Sequence, residues 1–333
     1  MARKFISFVL RCRLENVMAL GFSATLLLFF LTTQLFRSFR LNGHDIIFIL
    51  LPAGILGVKC LLEMLLSSES PDGENLDTGK YLVSFFKPLV KIVRDWFPFL
   101  LLSACYYALY TNLMLRVNPH TADTVLSKMD AALLGNQAAF LLEPWINPWV
   151  TDFLCLVYFS YVFTLPGVAL YFYLAQEKMI FRRVMMGYLT LMLLGIASYL
   201  LVPAIGPESF YADQYTRELN GHTVIHGVDY IMRAGRVGYD CFPSLHVGIP
   251  LLLSFYLRDY CKKLFIPALV YVALMCCATI YLRYHYVVDV IAAFAYAPAA
   301  YRLNDFLLAR WPGEKITAVS TKGERERQNA IPC

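Results

Sequence analysis

The sequence LFIPALVYVALMCCATIYL-RYH-YVVDVIAAFAYAPAAYRLNDFLL occupies residues 264–308 of the chain. A transmembrane helix needs about 17–25 predominantly apolar residues, and the segments on either side of RYH both meet that length. Three residues are enough for a tight turn between them. We therefore predict two antiparallel transmembrane helices, Leu264–Leu282 and Tyr286–Leu308, joined at Arg283–His285.

Six further apolar runs accompany this hairpin. They are Val17–Phe36, Ile46–Leu66, Trp96–Leu115, Phe153–Ala175, Val184–Val202 and the shorter Pro243–Leu257. The whole chain of 333 residues is 59% hydrophobic and 16% charged, against about 25% charged in an ordinary soluble domain. This composition excludes a disordered chain, a nucleic-acid-binding domain and a secreted disulfide scaffold. It predicts an all-α integral membrane protein with about eight transmembrane helices.

The segment 116–152 is apolar but interrupted. Leu126–Leu142 is followed by Trp145 and Trp149, with Pro144 and Pro148 between and beside them. Tryptophans are enriched at membrane–water boundaries, so we predict a helix that lies in the membrane interface on the non-cytoplasmic side.

The distribution of cations predicts the orientation. With eight crossings, the two termini and the loops on their side carry twenty lysines and arginines, and the loops on the other side carry eight. By the positive-inside bias, both termini are expected in the cytoplasm. The net charge of +5 therefore reflects topology and gives no reason to expect a nucleic-acid partner.

Two short polar stretches stand out, Cys241–His246 and Tyr281–Asp289. The predicted topology returns His285 to the membrane face that holds His246. His285 and Asp289 share one helix face, so the carboxylate can accept the imidazole Nδ1–H and leave Nε2 as a nucleophile. His246 can then protonate a leaving oxygen as a general acid.

The same stretches offer an anion site. With Pro243 at the first helical position, the amides of Ser244, Leu245 and His246 would face outward. Arg283, Arg233 or Arg236 could neutralise phosphoryl oxygens. Fifteen residues of helix cover only about 22 Å, so this site should lie below the membrane surface, where it suits a lipid phosphate. Taken alone, His285 with Asp289 is typical of a local capping pair, and a Pro-Ser of a simple helix start.

The two stretches resemble the second and third signature motifs of the phosphatidic acid phosphatase type 2 superfamily, Pro-Ser-x-His and His-x-x-x-Asp. The region from Met129 to Ala300 resembles the inositol phosphorylceramide synthase-like branch. Further matching residues are Met129-Asp130, Leu134-Gly135, Tyr158-Phe159-Ser160-Tyr161, Arg182-Arg183 and Pro203-Ala204-Ile205-Gly206-Pro207.

The resemblance implies a metal-independent enzyme without a cofactor, with a six-helix catalytic core and a phosphohistidine intermediate. His285 would be the nucleophile, Asp289 its orienting partner, His246 the general acid and Ser244 a phosphate contact. The expected domains are an N-terminal hairpin with a cytoplasmic loop at 1–95, the catalytic core at 96–310 and a polar cytoplasmic tail at 311–333.

Two departures from the family pattern concern phosphate binding. The first family motif, a lysine followed six residues later by Arg-Pro, has no counterpart, and Thr279 stands where an arginine usually precedes the nucleophile. Both departures favour a phosphotransferase over a plain phosphatidic acid phosphatase.

The sequence thus predicts a lipid phosphatase or headgroup transferase at the non-cytoplasmic leaflet. Its partners are the bilayer, a lipid phosphate substrate and either water or a lipid hydroxyl as acceptor. The alternative is a non-catalytic transporter or lipid-binding protein, which would need ionisable groups spread along a mid-membrane pathway. A soluble vanadate-binding oxidase would use a similar site, but eight spans argue against it.

Overall fold

The computed structural model describes residues 12–33, 91–103, 106, 118–175, 177–222, 224 and 238–311. The chain forms two compact units, Glu15–Leu109 and a second unit made of Met1–Leu14 with Tyr110–Cys333. The predicted span Ile46–Leu66, the tail after Trp311, and Arg233 and Arg236 lie outside the described residues.

The regular secondary structure of the described part of the chain is helical, and no β-strand occurs in it. Helix α1 spans Leu14–Thr33, and residues 91–103 are also helical. The remaining helices belong to the second unit. They are α2 Asp123–Leu134, α3 Ala138–Leu142, α4 Pro148–Leu174, α5 Lys178–Leu201, α6 Leu245–Tyr260, α7 Lys262–Tyr281 and α8 Val287–Arg310. A 3₁₀ turn at Glu143–Trp145 follows α3, and single turns at Pro207–Phe210 and Ala212–Gln214 follow α5.

Three of the described helices are long and apolar enough to cross a membrane, namely α4, α5 and α7. They overlap the predicted spans 153–175, 184–202 and 264–282, and the first two begin five and six residues earlier than predicted. The expectation of an all-α membrane protein is confirmed at this level. Helix α6 has 16 residues, about 24 Å at 1.5 Å per residue. It is therefore shorter than a hydrocarbon core of about 30 Å, as the sequence predicts.

Helix α6 is the centre of the second unit, because it packs against α4, α5, α7 and α8. Most of its side chains are buried, including Leu252, Ser254 and Tyr256 at 0% exposure. Its first turn lies close to α5 at Gly195, where an added Cβ would stand 2.7 Å from Leu245 Cδ1. A helix that is buried on nearly every side holds the residues at its N-terminus in a fixed position.

A polar cluster ties α5, α6 and α8 together far along the helices from that N-terminus. Arg183 pairs with Asp305 at 2.9 Å and donates to Tyr260 Oη. Asn304 donates to Tyr256 Oη at 2.8 Å and to the Arg183 carbonyl. Asn304 is fully buried, and these two bonds pair its amide nitrogen, which would otherwise be costly inside an apolar bundle.

The predicted interfacial segment contains a broken helix. Helix α2 ends at Gly135, which adopts a left-handed conformation with φ 77°, and α3 starts three residues later. Trp145 and Trp149 are 75% and 73% exposed. Exposed tryptophans suit a membrane boundary, and the placement of this segment in the interface stays a prediction.

Helix α2 supports the start of α8 through a buried carboxylate. Asp130 accepts the Val287 amide at 2.8 Å and the Val288 amide at 2.9 Å. The first amides of a helix have no acceptor within it, so Asp130 supplies one from outside. Burial raises the pKa of the Asp130 carboxyl, and these two amides partly offset that effect.

We expect Asp130→Ala to destabilise the protein by about 3 kcal/mol, because two buried amides lose a charged acceptor. Asp130→Asn keeps one carbonyl oxygen as an acceptor, so its stability should lie between those of wild type and Asp130→Ala. Thermal unfolding in detergent measures the effect, with Asp213→Ala, at an exposed site, as the control. An unchanged melting temperature in Asp130→Ala would show that Asp130 does not support α8.

Candidate active site

The N-termini of α6 and α8 meet at one place. The Ser244 amide donates to the Asp289 carbonyl at 3.1 Å. Beside this link, His246 Nδ1 lies 3.3 Å from His285 Nε2. The structure therefore brings together the two polar stretches that the sequence singled out.

Asp289 holds the imidazole of His285 from the opposite side. Its Oδ2 lies 3.4 Å from His285 Nδ1 and accepts the Tyr286 amide at 2.8 Å. His285 is 4% exposed and Asp289 is fully buried. When Nδ1 carries the proton toward Asp289, Nε2 has the free lone pair, and the contact to His246 requires His246 Nδ1 to donate.

Two buried oxygens at this site have no hydrogen-bond partner among the described residues. They are Ser244 Oγ and Asp289 Oδ1. Buried polar atoms are almost always paired, so an unpaired hydroxyl at a helix N-terminus is typical of a place that receives a ligand.

The prediction that Pro243 occupies the first position of the helix is wrong. Helix α6 begins at Leu245 with Ser244 as the N-cap, and Pro243 precedes it after a cis peptide bond. The Ser244 amide is also not available to an anion, because the Asp289 carbonyl already accepts it. The side chain of Ser244, rather than its amide, remains without a partner.

Aromatic rings enclose His246. Its ring centroid lies 4.6 Å from that of Tyr158, nearly parallel, and 4.5 Å from that of Tyr161. Tyr284 contacts Tyr158 at 4.6 Å. These rings pack against the imidazole of His246, whose centroid lies 5.5 Å from that of His285.

Arg283 is buried and bound to a neighbouring loop. Its Nη2 lies 3.3 Å from Glu143 Oε1 and donates to the Arg217 carbonyl at 2.7 Å, and its guanidinium lies 3.6 Å from the centre of the Tyr215 ring. Burial lowers the pKa of Arg283, although Tyr215 and Glu143 act in the opposite direction. The other two predicted arginines, Arg233 and Arg236, lie outside the described residues.

The turn that carries Arg283 and His285 rests on Gly206. Gly206 has φ 85°, and an added Cβ would stand 2.7 Å from the Tyr284 carbonyl oxygen. The Asp123 carboxylate accepts hydrogen bonds from the backbone amides of Ile205 and Gly206. It also accepts one from the Tyr286 hydroxyl at 3.0 Å. Asp123 thus connects the loop after α5 to the residue that follows His285.

Sequence reasoning missed Asp123, Glu143 and Cys241 as parts of the site. Cys241 Sγ donates to Asp289 Oδ2 at 2.9 Å, and burial and the Asp289 carboxylate raise the pKa of this thiol. Cys241, His285 and Asp289 form a group able to hold a metal ion. Acidic residues inside the apolar segment 116–152 were the one signal that could have found Asp123 and Glu143.

Glu143 fixes the loop that covers Arg283. It accepts the Thr216 amide at 3.0 Å and the Thr216 hydroxyl at 2.6 Å. Burial alone would raise the pKa of Glu143, but the bonds from Thr216 and the Arg217 amide and the charge of Arg283 lower it overall.

We expect Glu143→Gln to lower the melting temperature by several degrees at neutral pH, since Arg283 loses its charged partner. The lowered pKa means that this stabilisation is complete above about pH 4.3, the ordinary value for glutamate. It is lost as the pH falls through the folded value. The difference between wild type and Glu143→Gln in thermal unfolding should therefore be constant from about pH 5 to 8 and shrink in more acidic buffer.

Glu218→Gln, at an exposed position in the same loop, serves as the control. A difference between wild type and Glu143→Gln that keeps its size in acid would contradict the assignment of this stabilisation to the glutamate charge.

Comparison with known proteins places these elements in a family. No curated protein and no solved structure matches the chain. The family model of the PAP2 superfamily matches residues 124–303. The match begins in α2, ends in α8 and includes both polar stretches, Cys241–His246 and Tyr281–Asp289. The match covers more than half of the chain, and the chain belongs to the PAP2 superfamily.

Proposed function

We propose that this chain transfers the phosphoryl group or phospho-headgroup of a membrane lipid through His285. Membership of the PAP2 superfamily supports a phosphatase-type activity on lipid phosphoesters. The observation that carries the proposal is the contact of His285 with two partners. Its Nε2 lies 3.3 Å from His246 Nδ1, and its Nδ1 lies 3.4 Å from Asp289 Oδ2.

The first step forms a bond between His285 Nε2 and phosphorus and breaks the bond from phosphorus to the leaving oxygen. His246 gives its proton to that oxygen, so the leaving group departs neutral. Asp289 stabilises the positive charge that develops on His285. The rings of His246 and His285 must separate when the phosphate enters, because His246 Nδ1 now occupies the approach to Nε2.

The second step releases the phosphohistidine. An acceptor hydroxyl gives its proton to His246 and forms a bond to phosphorus, and the bond from phosphorus to His285 breaks. With water as the acceptor the enzyme is a lipid phosphatase. With a lipid hydroxyl it is a synthase of the inositol phosphorylceramide type, which the sequence resemblance and the missing first motif favour. Neither route uses a metal ion or a cofactor.

Ser244 and Arg283 are the proposed phosphate contacts. Ser244 Oγ has no partner among the described residues. Arg283 hydrogen-bonds through Nη2 to Glu143 and to the Arg217 carbonyl, and we assign its Nε–H and Nη1–H donors to phosphate oxygens. Arg233 and Arg236 remain proposed as further contacts.

Replacement of His285 by glutamine should lower turnover of phosphatidate, a polyprenyl pyrophosphate or phosphatidylinositol with ceramide at least about a thousandfold. His246→Gln should cost about 10²–10⁴-fold, the range for general acid catalysis. The assay uses purified protein in detergent, and His120→Gln, at an exposed histidine, is the matched control. Full activity in His285→Gln would contradict the proposed mechanism.

The site is proposed to face the non-cytoplasmic leaflet, with both termini in the cytoplasm. An epitope inserted after Asn220 in the full chain should then be accessible in right-side-out membrane vesicles. An epitope after Glu177 should become accessible only after permeabilisation. The reverse pattern would overturn this orientation.

A further inference from the structure

We infer that Cys241, His285 and Asp289 form an inhibitory site for a thiophilic divalent cation such as Zn²⁺ or Cd²⁺. Three different donor atoms converge there. Cys241 Sγ lies 2.9 Å from Asp289 Oδ2 and 3.6 Å from His285 Nδ1, and His285 Nδ1 lies 3.4 Å from Asp289 Oδ2.

These separations are close to those of ligands around one tetrahedral zinc ion. With Zn–S about 2.3 Å and Zn–N and Zn–O about 2.0–2.2 Å, the ligand atoms stand about 3.4–3.6 Å apart. Two of the three distances already agree. The third, between Cys241 Sγ and Asp289 Oδ2, must lengthen by about 0.7 Å, which follows when the thiol hydrogen bond is replaced by bonds to a metal.

An unpaired atom supports a cation at this place. Asp289 Oδ1 is buried and has no hydrogen-bond partner among the described residues. Among the described residues, Asp289 forms an ion pair only with His285. Asp289 Oδ1 therefore keeps lone pairs that the described neighbours do not satisfy.

The donor set determines the class of metal. Thiolate and imidazole ligands select Zn²⁺ and its soft analogue Cd²⁺, whereas Mg²⁺ and Ca²⁺ require oxygen ligands. Binding would replace the Cys241 thiol proton, which is released to solvent, by a bond from sulfur to the metal.

Inhibition follows from the chemistry of imidazole. A neutral imidazole carries one proton on its two nitrogens. When Nδ1 of His285 gives its lone pair to a metal, that proton moves to Nε2. Nε2 then has no lone pair with which to attack phosphorus. This inhibitory consequence rests on the proposed function, but metal binding itself does not.

The binding test is a titration of the purified, chelator-treated full chain with Cd²⁺, followed by the ultraviolet charge-transfer absorption of cadmium bound to thiolate. We expect wild type to bind one more equivalent than Cys241→Ser or Cys241→Ala. Cys277→Ser, at an exposed free cysteine, is the control and should keep the Cys241-dependent equivalent. Thermal unfolding first verifies that all the proteins are folded. Equal cadmium binding by wild type and both Cys241 variants then overturns the inference. Mg²⁺ should produce no signal.

The activity test compares, for each protein, turnover with and without Zn²⁺, so that changes in basal rate cancel. Loss of one metal ligand should weaken inhibition at least about tenfold in Cys241→Ser, and a chelator should restore the wild-type rate. If no protein turns over a lipid phosphate but the Cys241-dependent cadmium signal is present, the metal site stands and the proposed function fails. Turnover with equal Zn²⁺ inhibition of wild type and Cys241→Ser contradicts the inference and leaves the proposed function intact.

Discussion

The buried carboxylate of Asp289 makes the contacts that fix the site. Its Oδ2 accepts from the Tyr286 amide and the Cys241 thiol and lies against His285 Nδ1. Its backbone carbonyl accepts the Ser244 amide. One residue thus caps α8, orients His285 and holds the start of α6. A fully buried carboxylate is costly unless such partners compensate it, so the surrounding loop conformation and the orientation of His285 depend on each other.

Acidic residues of α2 and of the 3₁₀ turn before α4 complete this arrangement. Asp130 accepts the first amides of α8, Asp123 joins Tyr286 to the loop after α5, and Glu143 binds Arg283. Each carboxylate contacts a residue at or next to the 283–289 stretch. The segment that the sequence marks as interfacial therefore also supports the N-terminus of α8, and its polar residues have a structural reason in an otherwise apolar chain.

The sequence was sufficient to predict the three described apolar spans and the pairing of His285 with Asp289, because both depend on residue type and local spacing. It also indicated His246, through the return of the chain to one membrane face. It failed at Pro243 and the Ser244 amide, because the acceptor of that amide is a backbone carbonyl from another helix. The position of Arg283 could not be predicted either, since its partner Glu143 lies 140 residues away in sequence. Contacts between distant segments carry no local pattern, and the role of Cys241 was missed for the same reason.

The atom that carries phosphorus during turnover distinguishes this mechanism from the alternatives. The purified full chain is mixed with a lipid phosphate substrate, quenched in base, which preserves phosphohistidine, and digested for mass spectrometry. The proposed mechanism predicts a phosphoryl or phospho-headgroup adduct on His285, attached at Nε2, that is absent in His285→Gln. An adduct on Ser244 or Cys241, or turnover with no adduct on His285, would contradict it.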